Sequence, residues 1–147
     1  MTTSGRKFLQ LEYGSPAYRA SVALRYEVLR KPLGLNFTDE ELEKERDYFL
    51  LACHDHDDLL ACLMLVPQSS TDIRVRQVAV SPQIQRQGVG RGLMEFAEDF
   101  ARQQGFTKAT LNARDTALPF YERLGYERVG EPFEEVTIMH FAMQKEL

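Results

Sequence analysis

Apolar positions follow two rhythms along this chain, and the alternation between them lays out the elements. Phe8 to Tyr13 alternates with period two and opens a sheet. Ser15 then supplies an N-cap and Pro16 a first-turn residue, starting a helix that runs from Ala17 to about Arg30 and stops before Pro32. Its apolar positions are Val22, Leu24, Val28 and Leu29, with Arg25 and Arg30 near its end. Lys31 to Phe37 reads as a loop, and Thr38 to Leu42 as a capped helix with an acidic first turn, placed to form one wall of an entry. Tyr48–Cys53 and Leu59–Val66 form a hairpin around the turn His54–Asp58.

The second half repeats the alternation. Asp72–Val80 is a strand that begins with alternating Arg74, Val75 and Arg76 and becomes apolar as it enters the sheet. Leu93, Phe96, Ala97, Phe100 and Ala101 make the core-facing stripe of a helix that runs from Leu93 to Gln104 and is stopped by Gly105. A strand at Ala109–Ala113, a short helix at Thr116–Leu124, a strand opening at Gly125–Val129 and an alternating segment at Val136–Met143 complete the chain. Helices lie between strands in the middle and hairpins lie at both ends. The fold class is therefore α/β or α+β, with one sheet that has parallel and antiparallel parts.

With 147 residues, 44% of them hydrophobic, the chain builds one domain over residues 1–147 with a sizeable core. A net charge of -4 argues against an electrostatic grip on nucleic acid or an anionic membrane. No apolar run reaches the length of a membrane span, and the polar stretch from Met1 to Lys7 has no signal core, so a cytoplasmic location is expected. Cys53 and Cys62 fit that compartment as reduced, buried thiols, placed so that they could face each other across the hairpin. The cluster His54-Asp55-His56-Asp57-Asp58 has adjacent rather than spaced side chains and reads as an exposed turn, not as a metal site.

The chemistry concentrates between Val80 and Leu93. Gly88, Gly90 and Gly92 sit where a strand becomes a helix, so the backbone can approach a ligand without Cβ obstruction. Free amides and the positive end of the helix dipole make an anion site suited to a pyrophosphate, and Arg86 and Arg91 add charge. The spacing is neither that of a dinucleotide fingerprint nor that of a nucleotide P-loop. His140, the one histidine outside the acidic turn, is a candidate base, and Arg30, Arg76 and Arg114 could bind a carboxylate or phosphonate if they converge.

The order Gln85-x-x-Gly88-x-Gly90 after a strand resembles the acyl-CoA loop of the GNAT N-acetyltransferase superfamily. The Asn112 strand and the segment Phe120-Tyr121-Glu122-Arg123-Leu124-Gly125-Tyr126 are similar to two further stretches of it. The resemblance covers Leu24 to Leu147 and implies a mostly antiparallel sheet with a splayed parallel strand pair flanked by helices. It implies acetyl-CoA as acyl donor, bound by Val78, Ala79 and Val80 on the strand, by Arg86, Gln87, Gly88, Val89, Gly90, Arg91 and Gly92 in the loop, and by Asn112. Tyr121 would also touch the donor and protonate the departing thiolate. Within the superfamily the chain is most similar in pattern to glyphosate N-acetyltransferase-like bacterial enzymes, through Leu24-Arg25-x-x-Val28-Leu29-Arg30-x-Pro32, Arg76-x-x-Ala79, Asn112-Ala113-Arg114 and Ile138-x-His140-x-x-Met143. That likeness implies a small anionic amine as acceptor, bound by Arg30, Arg76, Arg114 and His140, with His140 as catalytic base, since the glutamate that other members carry near Arg76-Gln77 is absent. Peptide or protein amine acetylation and a non-catalytic CoA-binding sensor are the rival readings. A homodimer is a possible assembly.

Overall fold

The first two helices begin where a side chain satisfies orphan amides. The Ser15 hydroxyl accepts from the Tyr18 amide at 3.1 Å and starts α1 (Pro16–Arg25). Thr38 and Glu41 close a reciprocal capping box on α2 (Asp39–Lys44). In this computed structural model, which describes residues 5–84 and 87–147, the helices pack on one seven-stranded sheet. Its strands are β1 (Arg6–Gln10), β2 (Phe49–Asp55), β3 (Asp58–Pro67), β4 (Asp72–Val80), β5 (Lys108–Arg114), β6 (Glu127–Glu135) and β7 (Ile138–Glu146), in the order β1-β2-β3-β4-β5-β7-β6. All neighbours are antiparallel except β4 and β5. The long helix α3 (Val89–Gln103) packs on β2, β3 and β4, α1 packs on β3 and β4, and the short α4 (Leu118–Arg123) packs on β5.

Three expectations are corrected. The first helix keeps α geometry only to Arg25, then widens into a π turn at Tyr26–Arg30 and tightens into a 3-10 turn at Lys31–Leu33, ended by Gly34 at φ 70°. Pro32, which has no N–H to donate and clashes with the preceding turn, explains why the α pattern cannot continue. The helix after the glycine loop begins at Val89 rather than Leu93, so Gly90 and Gly92 lie in its first turn. Cys53 and Cys62 do not face each other. Cys62 lies opposite Ala52 and Cys53 opposite Ala61, which sends the two thiols into clusters on opposite faces of the sheet. Burial pushes both thiols up, that of Cys62 to about 12.

The strand β4 changes face partway along. Leu63 of β3 lies opposite two β4 residues, Gln77 and Val78, a bulge at which Gln77 takes φ 54°. Before it, Ile73 and Val75 point into the cluster under α3; after it, Val78 and Val80 do. Arg74, Arg76 and Ala79 therefore share the other face, beneath α1. A left-handed conformation for a residue with a side chain costs about 1–2 kcal/mol, so something must hold Gln77 there.

That something is a buried ion pair. Arg25 and Glu45 are each 1% exposed. Two bonds of 2.7 and 2.8 Å join them, the Tyr18 hydroxyl donates to Glu45 at 2.8 Å, and Arg25 Nη1 donates to Gln77 Oε1 at 2.9 Å. Burial alone would lower the Arg25 pKa, but the hydrogen bond and charge of Glu45 outweigh it and hold the guanidinium firmly protonated. Burial, and after it the same carboxylate, keeps the Tyr18 phenol well above its ordinary range. Glu45→Ala would strand the cation, and the expected loss in urea denaturation is about 3–5 kcal/mol. The double change Arg25→Met with Glu45→Leu should cost much less. Equal losses from the two proteins would show that charge pairing is not what holds this region.

Candidate functional site

Parallel pairing between β4 and β5 covers only Asp72↔Lys108, Ile73↔Ala109 and Arg74↔Thr110. Beyond Arg74 the strands diverge, and a cavity of 650 Å³ occupies the opening. It runs through the sheet. From the α1 side it is lined by Val28, Leu29 and Arg30, by Arg74 and Arg76 of β4, and by Asn112, Arg114 and His140, while Val75 and Val78 line it from the other face. From the α3 side Tyr121 reaches it. Of the strand residues expected at the donor, Val78 lines the cavity, Ala79 is fully buried under α1, and Val80 packs toward α3.

His140 is half-buried on β7, opposite Arg114 of β5 and stacked on Phe133 with 5.7 Å between ring centroids. Its Nδ1 lies 2.9 Å from the Ile138 carbonyl oxygen. A carbonyl can only accept, so Nδ1 carries a proton, and the neutral form of the ring has its lone pair on Nε2. That tautomer suits a base. Tyr121, on α4, is packed edge-on against Phe120 and Tyr126, at 4.9 and 6.0 Å between centroids. Its hydroxyl has no hydrogen-bond partner among the described residues, and burial pushes it up to about 12. Tyr121 thus brings to the cavity lining a phenol that keeps its proton at neutral pH.

The arginines divide into two kinds. The head of Arg30 is already engaged: it donates to the Asn36 carbonyl at 3.1 Å and to Glu41 at 3.0 Å, and lies 4.3 Å above the Phe37 ring. Burial alone would raise the Glu41 pKa, yet bonds from the Thr38 amide and Arg30 hold it below the usual carboxylate range. Arg30 thus braces the cavity wall as well as lining it. Arg76 and Arg114 line the cavity with no hydrogen bond or ion pair to any described residue. Arg74, absent from the sequence-based set, joins them, although its alternation with Arg76 was the signal that could have found it. Glu135 is the acidic residue on the rim.

At the glycine loop, Gly88 caps α3 in the left-handed region at φ 79°, where side chains are disfavoured. The first intrahelical bond runs from the Gly92 amide to the Gly88 carbonyl at 3.0 Å. Gly92, expected among the anion-binding amides, is therefore committed within the helix. Among the described residues, the amides of Val89, Gly90 and Arg91 have no acceptor outside α3. What Gly92 provides is close approach, since a Cβ there would sit 2.8 Å from the Phe8 ring. The Arg91 guanidinium lies outward, 3.5 Å from Glu95. Arg86 lies outside the described residues. A residue that no sequence signal marked is Arg6, whose guanidinium donates to the Gln87 carbonyl at 3.1 Å and so ties β1 to the loop. These features fit a pyrophosphate: free amides, a helix N-terminus, and no Cβ in the way.

Comparison with known proteins agrees with this geometry. Residues 27–147 match the family model described as an acetyltransferase (GNAT) domain. The UPF0039 protein of Schizosaccharomyces pombe is 30% identical over 91 residues, 60% of this chain and 61% of its own length. The chain spans about three fifths of the length of two of the curated relatives it matches. Among solved structures, a candidate N-acetyltransferase from Lactobacillus plantarum superposes with a TM-score of 0.85 at 29% identity, covering 98% of this chain and 99% of that one. A GNAT family acetyltransferase from Elizabethkingia anophelis with acetyl-CoA bound shares the fold at a TM-score of 0.76 and 15% identity, with 98% and 99% coverage.

The Tyr121 phenol yields a pH prediction. Its folded pKa of about 12 lies above the ordinary 10.0, so between those values the unfolded chain gives up a proton that the native chain keeps. Its contribution to stability is full below pH 10 and is lost as pH rises toward 12. Denaturation midpoints should fall less steeply over this window in Tyr121→Phe than in the parent; identical slopes would contradict the burial of this hydroxyl.

Proposed function

The chain belongs to the GNAT acetyltransferases, and on that footing we propose that it is an N-acetyltransferase moving the acetyl group of acetyl-CoA to the primary or secondary amine of a small anionic substrate. The observation that carries this reading is the pair of unused proton-transfer atoms, His140 Nε2 and Tyr121 Oη, reaching one opening through the sheet from its two faces. In this reading the amides of Val89, Gly90 and Arg91 hold the pyrophosphate, Val78 and Asn112 line the path of the pantetheine arm, and the acceptor enters from the α1 side.

Acetyl-CoA supplies the activated thioester, so a C–N bond forms as the C–S bond breaks. The rest falls to the chain. An ammonium cannot attack, and His140 Nε2 takes its proton. Tyr121, protonated at every physiological pH, gives its proton to the departing thiolate. Backbone amides of β4 at the bulge polarise the thioester carbonyl. Arg76 and Arg114, which have no hydrogen-bond or ion-pair partner among the described residues, orient a carboxylate or phosphonate by forked hydrogen bonds. This is the acceptor chemistry of the glyphosate N-acetyltransferase-like pattern.

Two findings weigh against the rivals. A basic peptide would need free carboxylates along its groove, but Glu41 and Glu45 of the acidic segment are paired with Arg30 and Arg25, and none of the carboxylates of Asp39–Asp47 lines the cavity. A sensor would have no use for an unbonded tyrosine hydroxyl and a correctly tautomerised histidine in one cavity. With acetyl-CoA and a panel of amino acids, His140→Ala and Tyr121→Phe are each expected to lower kcat by about 10²–10⁴-fold. Turnover of His140→Ala equal to that of the parent would remove the assigned base, and CoA binding with no transfer to any amine would favour the sensor.

A further inference from the structure

A second cavity, of 300 Å³, lies beside the first on the α1-side face of the sheet, and the two share Arg74, Leu111 and Asn112 in their walls. Arg74 stands at the junction. Its Nε is sealed from solvent without a hydrogen-bond partner, and the rest of its guanidinium has no hydrogen bond or ion pair among the described residues. A buried donor without a partner is costly, and such groups are rare enough to need an explanation. The nearby carboxylate does not supply one: Asp72 accepts from the Thr71 hydroxyl at 2.9 Å and faces Lys108 at 3.9 Å. Arg6 Nε is sealed in the same way, but its other two nitrogens donate to Gln87, and other cations of the interior have carboxylates. Arg25 has Glu45, and Lys145 has Glu98 at 2.7 Å.

We propose that the second cavity receives the far end of the acceptor and that Arg74 binds an acidic group carried there, so that Arg74 selects amines bearing an anion remote from the reacting nitrogen. The inference rests on the acyl-transfer reading above and sharpens it. Arg74 and Arg76 point to the same face two residues apart, which separates their Cα atoms by roughly 7 Å. Arg76 with Arg114 meets an anion beside the reacting amine, and Arg74 meets a second one a strand repeat further along. The engaged Arg30 cannot take that role without giving up Glu41. The acidic rim residue Glu135 belongs to the first cavity, so nothing acidic in the second opposes the distal group except the paired Asp72.

The test compares aspartate, glutamate and 2-aminoadipate with asparagine, glutamine and the terminal amide of aminoadipate as acceptors, using saturating acetyl-CoA. In the parent, at least one distal acid should exceed its amide isostere about tenfold or more in kcat/KM, through KM. Arg74→Gln should lower kcat/KM for that acid at least tenfold more than for its amide, and Arg74→Lys should restore part of the difference. Thermal midpoints of both variants confirm folding. Equal losses for acid and amide, or no preference for distal acids in the parent, would overturn the assignment of Arg74 while leaving acyl transfer intact. CoA binding without transfer to any amine would overturn both.

Discussion

The short reach of one strand pair governs this molecule. β4 and β5 run parallel and hydrogen-bonded for three residue pairs and then part, and a sheet that stayed zipped would be a closed wall between its two helical layers. The gap makes a passage in which groups from opposite faces meet. What keeps β4 from following β5 is the bulge opposite Leu63, with Gln77 in a conformation that side chains avoid. Its amide oxygen is held by Arg25, which is held in turn by Glu45 and Tyr18. A buried ion pair is seldom a bargain for stability. Here it fixes where a strand bends.

The bulge also sorts the side chains. By inserting one residue it keeps Arg74 and Arg76 on the α1-side face while returning Val78 and Val80 to the α3 side. Asn112 and Arg114 of β5 and His140 of β7 alternate onto the same face as the arginines. The result is a cationic recess in a chain of net charge -4. Such a contrast concentrates field in the cleft and favours entry of an anion over other solutes.

Much of this was legible in the residue pattern. Ser15-Pro16 and the Thr38-to-Glu41 box announce helix starts because capping chemistry is local, and the strand expected at Asp72–Val80 matches the observed one end to end. His140, Tyr121, Arg30, Arg76 and Arg114 all line one cavity. What stayed hidden was non-local. Arg25 reads as a helix-end charge, and only the fold delivers Glu45 to it across 20 positions. The face of each cysteine depends on hairpin register, which the turn cluster does not specify. Arg30 could be placed near the site from its neighbours, but that Glu41 occupies its head required the return of α2 against it.

The central claim is that acyl donor and acceptor meet in the gap between β4 and β5, between Tyr121 and His140. The most direct measurement is a crystal structure of the chain with CoA and an anionic amine soaked together. The account predicts the CoA sulfur within hydrogen-bonding reach of the Tyr121 hydroxyl, about 3–3.5 Å allowing for the larger sulfur atom, with the amine on the His140 side. A pantetheine arm lying outside the gap, or a sulfur remote from Tyr121, would contradict it.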